Sequence, residues 1–562
     1  EPQVLLDGWG YEDTHETLNS FTWGPDGWLY GCHGIFTHSR VGKPGTPDDL
    51  RVPLNAGIWR YHPTRHEFEV FAHGISNPWG LDFDENGDWF SSACVIPHYY
   101  HVIQGARYFR QAGEHFNQYV YDDIETIADH LHYGDGTLAS MKADGKVDRA
   151  LQIELAADTS AVGGGHAHCG LVVYQGDTFP ESYRGDHFFF NLHGHRIVRE
   201  RTERDGSGHV ARHGPDFALA KDHAFVGVGL MLGPDGALYA SDWHDPQTCH
   251  HHDYEIWDRT DGRIFRVRYG DHQARPIDLP SESDLELVEA LRHENAFIAR
   301  QAQRLLQERA SAGSLDTNRV ARALRALTAS SQDRVIRLRA MWTQQVCGLL
   351  GNDALYSYLS DADSFVRGWA IHFLAEGESE LDTETLNALI ALAERDPSAD
   401  VRRYLSAGLQ RLPLSQRWSL AEALAARPED IKDNNLPLMV WYGIEPLVEE
   451  NPNRAIRIAS HTASPLVGDF VRRRAAAFEE GRNSLLAYVA KTNSADDFAK
   501  RGAQYLAAIG TQTNLERPKS WEVFLEKGES LNGPKAKAML ARIRARLGDA
   551  EAFPYWRAIV AD

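Results

Sequence analysis

Short hairpin turns built on Asp-Gly and Asn-Gly recur through the first half of this 562-residue chain. Three copies share one form, in which an apolar segment leads into the turn and an apolar strand follows it: residues 23–30, 83–90 and 232–239. Such turns between apolar runs are the strongest short-range signal for a β-hairpin. A single hairpin cannot bury its own apolar face, so the repeated copies predict sheets that stack against one another.

Other segments supply the remaining strands of these sheets. Three short strands are predicted ahead of the Asn86-Gly87 turn and form one four-stranded blade with it: residues 57–61, 68–71 and 79–83. A further blade is predicted from residues 170–174, 187–190 and 196–199, and a closing strand from residues 262–267. The pattern predicts a β-propeller segment of about four blades over residues 1–270, interrupted by a long polar insertion at residues 104–160.

The character of the sequence changes near Ser281, where glycine and tryptophan become rare and Ala, Leu, Arg and Glu recur at helical spacing. A short signature ending in arginine opens several of these helices, at Arg300, Arg339, Arg367 and Arg402. The spacing is typical of two-helix solenoid repeats. We expect a linker at residues 271–280 and a HEAT-like helical repeat domain over residues 281–562. A plain helical bundle is the alternative.

Charge and cysteine content narrow the class of function. The net charge is −21, from 58 basic and 79 acidic residues, which argues against a nucleic-acid partner. The five cysteines form neither a disulfide framework nor a CxxCH haem motif. The chain is therefore expected to act on something other than nucleic acid, without a covalently attached haem of its own.

Histidine is concentrated in the first half, where 23 of the 27 histidines lie between His15 and His252. Two His-x-His pairs stand out: His166 with His168, and His193 with His195. Residues two apart on a strand point to the same side, so four imidazoles from neighbouring strands could converge. Imidazole suits zinc, copper or iron, which makes these residues candidate ligands of a transition metal. The alternative is a set of structural histidines.

Several longer motifs resemble the Pirellula/Verrucomicrobium-type membrane-bound dehydrogenase family: residues 8–27, 74–80, 165–170, 183–185, 193–196 and 257–263. The resemblance spans nearly the whole chain. It implies a propeller similar to that of soluble quinoprotein glucose and sorbosone dehydrogenases, followed by HEAT-like repeats. It also implies an exported protein, periplasmic or membrane-associated, that oxidises a sugar or another alcohol with pyrroloquinoline quinone and calcium.

The resemblance also implies roles for individual residues. His15 takes the position of the general base that removes the hydroxyl proton of the substrate, which a histidine can do at neutral pH. Asn77 becomes a contact of the cofactor, and His193 and Arg196 lie near the basic residues that face the carboxylates of the quinone. The residue before Asn77 is Ser76, where those enzymes carry an arginine.

Two departures from the family shape the remaining expectations. The absence of a CxxCH motif implies a separate electron acceptor such as a cytochrome c, and the chain starts where the third blade of a propeller of about six blades is expected. Three hypotheses therefore stand. The chain is an oxidoreductase, a metalloprotein that uses His166, His168, His193 and His195, or a non-catalytic scaffold that binds other proteins through its propeller and HEAT-like domain.

Overall fold

The computed structural model describes residues 2–13, 17–94, 97–130, 167–222, 224–245, 260–271, 277–377, 380–510 and 512–561. The strands are β1 (Asn19–Trp23), β2 (Leu29–His33), β3 (Ser39–Val41), β4 (Val52–Leu54), β5 (Gly57–His62), β6 (Glu67–His73), β7 (Pro78–Phe83), β8 (Trp89–Ala93), β9 (Tyr99–Val102), β10 (His168–Val173), β11 (His187–Asn191), β12 (Arg196–Asp205), β13 (Gly208–His213), β14 (Ala218–Leu219), β15 (Gly227–Leu232), β16 (Leu238–Asp242) and β17 (Arg263–Val267).

The helices follow the last strand along the chain. They are α1 (Asp284–Ala290), α2 (Ala296–Ser311), α3 (Thr317–Ser330), α4 (Arg334–Val346), α5 (Asn352–Tyr358), α6 (Ser364–Leu374), α7 (Thr383–Arg395), α8 (Ala399–Leu409), α9 (Leu414–Ala425), α10 (Leu436–Glu450), α11 (Pro452–His461), α12 (Pro465–Ala476), α13 (Glu479–Ala490), α14 (Ala495–Ile509), α15 (Trp521–Ser530), α16 (Pro534–Arg546) and α17 (Phe553–Ala561). None of the described helices is both long enough and apolar enough to cross a membrane.

Among the described residues, four antiparallel sheets of three or more strands succeed one another along the first half of the chain, and β3 pairs with β4 in a separate two-stranded sheet. Their strand orders are β1-β2-β5-β6, β7-β8-β9, β10-β11-β12-β13 with β14 on β12, and β15-β16-β17. The first strand of each sheet lies beside the first strand of the next, so that β1, β7, β10 and β15 form a continuous series. Sheets arranged in this way are the blades of a propeller. The predicted fold class, a propeller segment followed by helical repeats, is confirmed.

One predicted grouping of strands was wrong. The strands at residues 57–61 and 68–71 continue the first sheet, where β5 pairs with β2 and β6 pairs with β5, whereas residues 79–83 open the second sheet. The chain bends sharply between them, because Gly74, Ile75 and Asn77 have φ values of 92°, 69° and 56°. A Cβ at Gly74 would lie 2.2 Å from the carbonyl oxygen of Tyr108, so only glycine fits there. Strand spacing is similar within and between blades, so the sequence does not distinguish them.

The helices nearest to the sheets hold the first hairpin of every blade. The hydrogen bonds to main-chain oxygens at the hairpin tips run from Gln303 to Pro25 (2.7 Å), from Trp369 to Asn86 (2.8 Å), from the backbone of Ala296 to Gln175 (2.9 Å) and from Asn295 to Gly233 (3.1 Å). All four tips therefore lie at one end of the sheets. The opposite end, at which β1, β7, β10 and β15 begin, is called the open rim below.

The recurring arginines explain the helical repeat. Three of them donate to carbonyl oxygens just after a preceding helix: Arg339 to Leu291 (3.0 Å), Arg367 to Asp361 (2.7 Å) and Arg402 to Asp396 (2.9 Å). The last carbonyls of a helix have no partner within it, so the guanidinium satisfies them. Arg300 differs, because it pairs with Asp82 at 2.7 Å.

The chain divides into two compact units. The first contains Glu1–Phe116 and Asp123–Phe373, and the second contains Asn117–Asp122 and Leu374–Asp562. Within the second unit the short segment is held by α10, where the indole nitrogen of Trp441 donates to the carbonyl oxygen of Val120 at 2.9 Å. The rings of Tyr121 and Trp441 stack at 5.6 Å. The predicted domain limits at residues 270 and 281 stay a prediction.

Candidate functional site at the open rim

The residues singled out from the sequence gather at the open rim. Asn77 directly precedes β7, and His168 is the first residue of β10. His193 and His195 lie in the turn between β11 and β12, not on a strand, and Arg196 opens β12. The strand register aligns His168 with Asn191 and Asn191 with Arg196, which brings both histidine motifs to the same end of the third sheet. His15 and His166 lie outside the described residues.

Asn77 ties the first sheet to the second. Its side-chain oxygen accepts a hydrogen bond from the backbone of Ile35 at 2.8 Å, and its carbonyl oxygen accepts one from the backbone of Cys94 at 2.9 Å. The preceding Ser76 is fully buried, and its hydroxyl oxygen accepts from the backbone of Gln111 at 2.9 Å. This loop is fixed by contacts within the protein, and a short serine fits where a long arginine side chain would not.

The basic residues of the rim also have partners. Arg196 is buried and forms an ion pair with Asp216. Burial lowers the pKa of Arg196, and the nearby carboxylates of Asp216 and Glu200 only partly offset this effect. The Nδ1 atom of His195 lies 2.8 Å from the carbonyl oxygen of Phe225, just before β15, and so links the third sheet to the fourth. His193 is half-buried.

His168 faces the second sheet. Its side chain is 1% exposed, and its Nε2 atom lies 3.4 Å from the side-chain nitrogen of Asn191. The ring of His98, which precedes β9, lies 4.7 Å away, and the ring of Phe189 lies 5.8 Å away. His168, from the third sheet, therefore packs against an imidazole from the second sheet, which is a different blade.

A group of histidines and acids continues from this point between the second and third sheets. We call it the seam, and it consists of His98, Asp129, His130, Glu200 and His213. The Nε2 atom of His130 lies 3.2 Å from the Oε1 atom of Glu200, and the Nδ1 atom of His213 lies 3.3 Å from the same oxygen. The Nδ1 atom of His130 lies 3.0 Å from the carboxylate of Asp129. Burial lowers the pKa of His130, but the two facing carboxylates more than offset this, so the pKa is raised.

A second buried cluster of histidines and an acid lies close by. It differs from the seam because an arginine lies beside its one acid. Asp88, His101 and His209 bring ligand-type atoms within 4.8 Å of one another. The guanidinium of Arg204 lies 2.6 Å from the carboxylate of Asp88 and 2.9 Å from the Nε2 atom of His209. A fixed cation already neutralises the acid in this cluster, so its charge is balanced without a metal.

The seam residues were not predicted from the sequence. His98 and His130 belong to no repeated motif, and Glu200 lies within an ordinary strand. They meet because β9, the segment before residue 131 and β13 run side by side, with Ile127 donating to Tyr99 at 3.0 Å and Ala211 donating to Ile127 at 2.8 Å. Only their residue types, and not their spacing, could have indicated a shared site.

The chemistry available at the rim can be judged from these contacts. A pyrroloquinoline quinone needs cations and polar groups for its carboxylates and ketones. Among the described residues, Arg196 is committed to Asp216, and the side-chain oxygen of Asn77 is committed to Ile35. These residues do not fit the quinone in the way that the resemblance implies. Imidazole groups such as those of His98 and His168 are instead of the kind that binds transition metals.

Comparison with solved structures gives distant likenesses. One is to a protein assigned as an oxidoreductase (glucose dehydrogenase) from Thermus thermophilus, with 19% identity over 47% of this chain and 69% of that chain, and a TM-score of 0.29. Another is to a glucose dehydrogenase, with 16% identity over 45% of this chain and 63% of that chain, and a TM-score of 0.23.

Such scores are too low for an argument about activity. No curated protein matches the chain. Residues 1–271 match the family model described as a domain of unknown function, DUF7133.

Proposed function

We propose that the chain is an oxidoreductase of the dehydrogenase type that acts on a small sugar or another alcohol at the open rim. The observation that carries this proposal is that Asn77, His168, His193, His195 and Arg196 all lie at the same end of two neighbouring sheets. Polar and basic groups that lie together at strand ends and in the turns between strands are typical of small-molecule sites.

The reaction requires a base and an electron acceptor. Oxidation of an alcohol to a carbonyl removes two electrons and two protons in all. His15 is proposed as the base for the hydroxyl proton, because an imidazole accepts a proton at neutral pH. A separate acceptor, for which a cytochrome c is proposed, takes the two electrons one at a time in two molecules, and the second proton passes to water. An exported location, periplasmic or membrane-associated, is proposed from the same resemblance to the Pirellula/Verrucomicrobium-type dehydrogenases.

The family resemblance and the geometry of the rim lead to different expectations for the cofactor. Pyrroloquinoline quinone with calcium is what the resemblance implies, but Asn77 and Arg196 are engaged elsewhere. The rim histidines favour a second candidate, a metal-dependent redox or hydrolytic role, and the observation in its favour is the 4.7 Å approach of His98 and His168.

A dye-reduction assay tests the proposal. The purified full chain is mixed with a panel of sugars and alcohols and a visible redox dye, in three arms: no addition, pyrroloquinoline quinone with calcium, and zinc or copper ions. We expect substrate-dependent bleaching of the dye in at least one arm, because the electrons removed from the alcohol pass to the dye. Bleaching in the quinone arm alone would assign the cofactor, and no bleaching in any arm would contradict the proposed activity.

A further inference from the structure

We propose that the seam is a transition-metal site in which His98, His130 and Glu200 are the ligands. This site is separate from the proposed dehydrogenase activity and does not depend on it. The ligand-type atoms of the three residues lie within 4.8 Å of one another. Glu200 is 0% exposed and His98 is 1% exposed, so two of the three groups are withdrawn from water.

The distances suit a small divalent ion. Zinc binds imidazole nitrogen and carboxylate oxygen at about 2.0–2.2 Å, which places neighbouring ligand atoms of a tetrahedral site roughly 3.3 Å apart. His130 Nε2 and Glu200 Oε1 are 3.2 Å apart. An ion could therefore enter between these two groups with little movement of the chain.

The surroundings of His130 are those of a metal ligand. Its Nδ1 atom faces Asp129 at 3.0 Å, which orients the ring so that Nε2 points to Glu200. Asp129 is held in turn by the guanidinium of Arg212 at 2.8 Å. A carboxylate behind a ligating histidine fixes its tautomer and raises its basicity, and loss of such a partner typically weakens metal binding by about 10- to 100-fold.

His213 could supply a fourth ligand atom for the ion and a route by which the ion enters the site. Its Nδ1 atom lies 3.3 Å from the same Glu200 oxygen, and the rings of His130 and His213 lie 5.3 Å apart. Its side chain is 35% exposed, whereas that of Glu200 is buried. A hydrated ion could first meet His213 at the surface and then pass to the buried ligands.

The donor set indicates the class of ion. Two or three imidazoles with one carboxylate suit zinc, copper or iron, whereas calcium prefers an all-oxygen cage. The ligands come from the loop before β9, from the segment before residue 131 and from β12. A bound ion would therefore fasten the second sheet to the third, and we expect it to stabilise this part of the first unit.

Metal titration of the full chain, with any affinity tag removed, tests the site. The protein is stripped with a chelator and titrated with zinc and with cobalt, whose visible absorption reports tetrahedral coordination. We expect a single tightly bound ion per chain and a rise in the unfolding temperature. Glu200→Gln and His130→Gln should weaken binding by at least about tenfold, while Asp129→Asn should weaken it by about 10- to 100-fold.

The matched control is His209→Gln, in the cluster where Arg204 balances Asp88. It removes a histidine whose side chain is 5% exposed, and it should leave the affinity for cobalt unchanged. Affinity should also fall as the pH is lowered, since protons compete with the ion for the imidazole nitrogens. Should Glu200→Gln fail to fold, His130→Gln decides, because that side chain is 14% exposed. Absence of a bound ion in the wild type, or equal loss in His209→Gln, would overturn the proposal.

Discussion

Replacing Arg60 by methionine is expected to destabilise the first unit by about 3–5 kcal/mol, the usual cost of breaking a buried ion pair on one side. Arg60 is 0% exposed and pairs with Asp26 at 2.7 Å and with Glu69 at 2.5 Å. Its guanidinium also lies 4.1 Å from the ring centre of Trp28. The change leaves the carboxylate of Asp26 buried without this cation. Urea unfolding followed by circular dichroism measures the loss.

The pH dependence and a surface control sharpen this prediction. Burial raises the pKa of Asp26, but hydrogen bonding to His372 and the charge of Arg60 more than offset this and hold it below the ordinary value of 3.8. The pair therefore stabilises the fold above about pH 4. In the variant the loss of Arg60 removes one of the effects that lower the pKa of Asp26, so the difference in stability between wild type and variant should narrow as the pH falls and Asp26 becomes protonated in the folded variant. Arg65 also lies over the ring of Trp28, at 4.8 Å, but its side chain is 39% exposed. Arg65→Ala should therefore lower the free energy of unfolding by less than about 1 kcal/mol. An equal loss in both variants would contradict the account.

Replacing Gly87 by valine is expected to destabilise the first unit by about 3 kcal/mol, for two separate reasons. The φ angle of Gly87 is 81°, which side chains other than glycine adopt at a cost. A Cβ at this position would also lie 2.4 Å from the indole of Trp369, which donates a hydrogen bond to Asn86 in the same turn. The added side chain would push the hairpin tip away from α6. Thermal unfolding measures the effect.

Gly45 provides the matched control for this change. Its φ angle is 83°, yet a Cβ there would meet no atom within 4 Å. Gly45→Ala therefore carries the backbone cost alone, about 1–2 kcal/mol. Gly87→Ala should exceed it, because the first methyl group already reaches Trp369. Equal effects at the two positions would show that contact between the hairpin tip and α6 contributes nothing.

Local sequence signals predicted the strands and helices well. The Asp-Gly and Asn-Gly turns mark real hairpins, because each turn needs a residue with positive φ, which Gly27 and Gly87 supply at 81°. The arginines at 339, 367 and 402 recur because each satisfies carbonyl oxygens after a neighbouring helix. The assignment of strands to blades failed at residues 57–71, since membership of a sheet depends on pairing partners and not on local pattern.

The candidate site was predicted only in part, for a similar reason. Asn77, His168 and the residues at 193–196 all lie at the open rim, as motifs at strand ends should. What the sequence could not show is that His168 faces His98, or that Glu200 faces His130 and His213. These contacts join residues from different sheets, and no spacing along the chain records them.

The central claim, that the open rim binds and oxidises the substrate, is tested most directly by kcat/KM for the best alcohol or sugar in the dye assay. His193→Gln changes a half-buried histidine at the rim, and His66→Gln changes an exposed histidine at the hairpin-tip end of the first sheet. We expect kcat/KM to fall by roughly tenfold or more in His193→Gln, since a displaced positioning group costs this much, and to stay unchanged in His66→Gln. Equal values in both variants and the wild type would contradict a substrate site at the open rim.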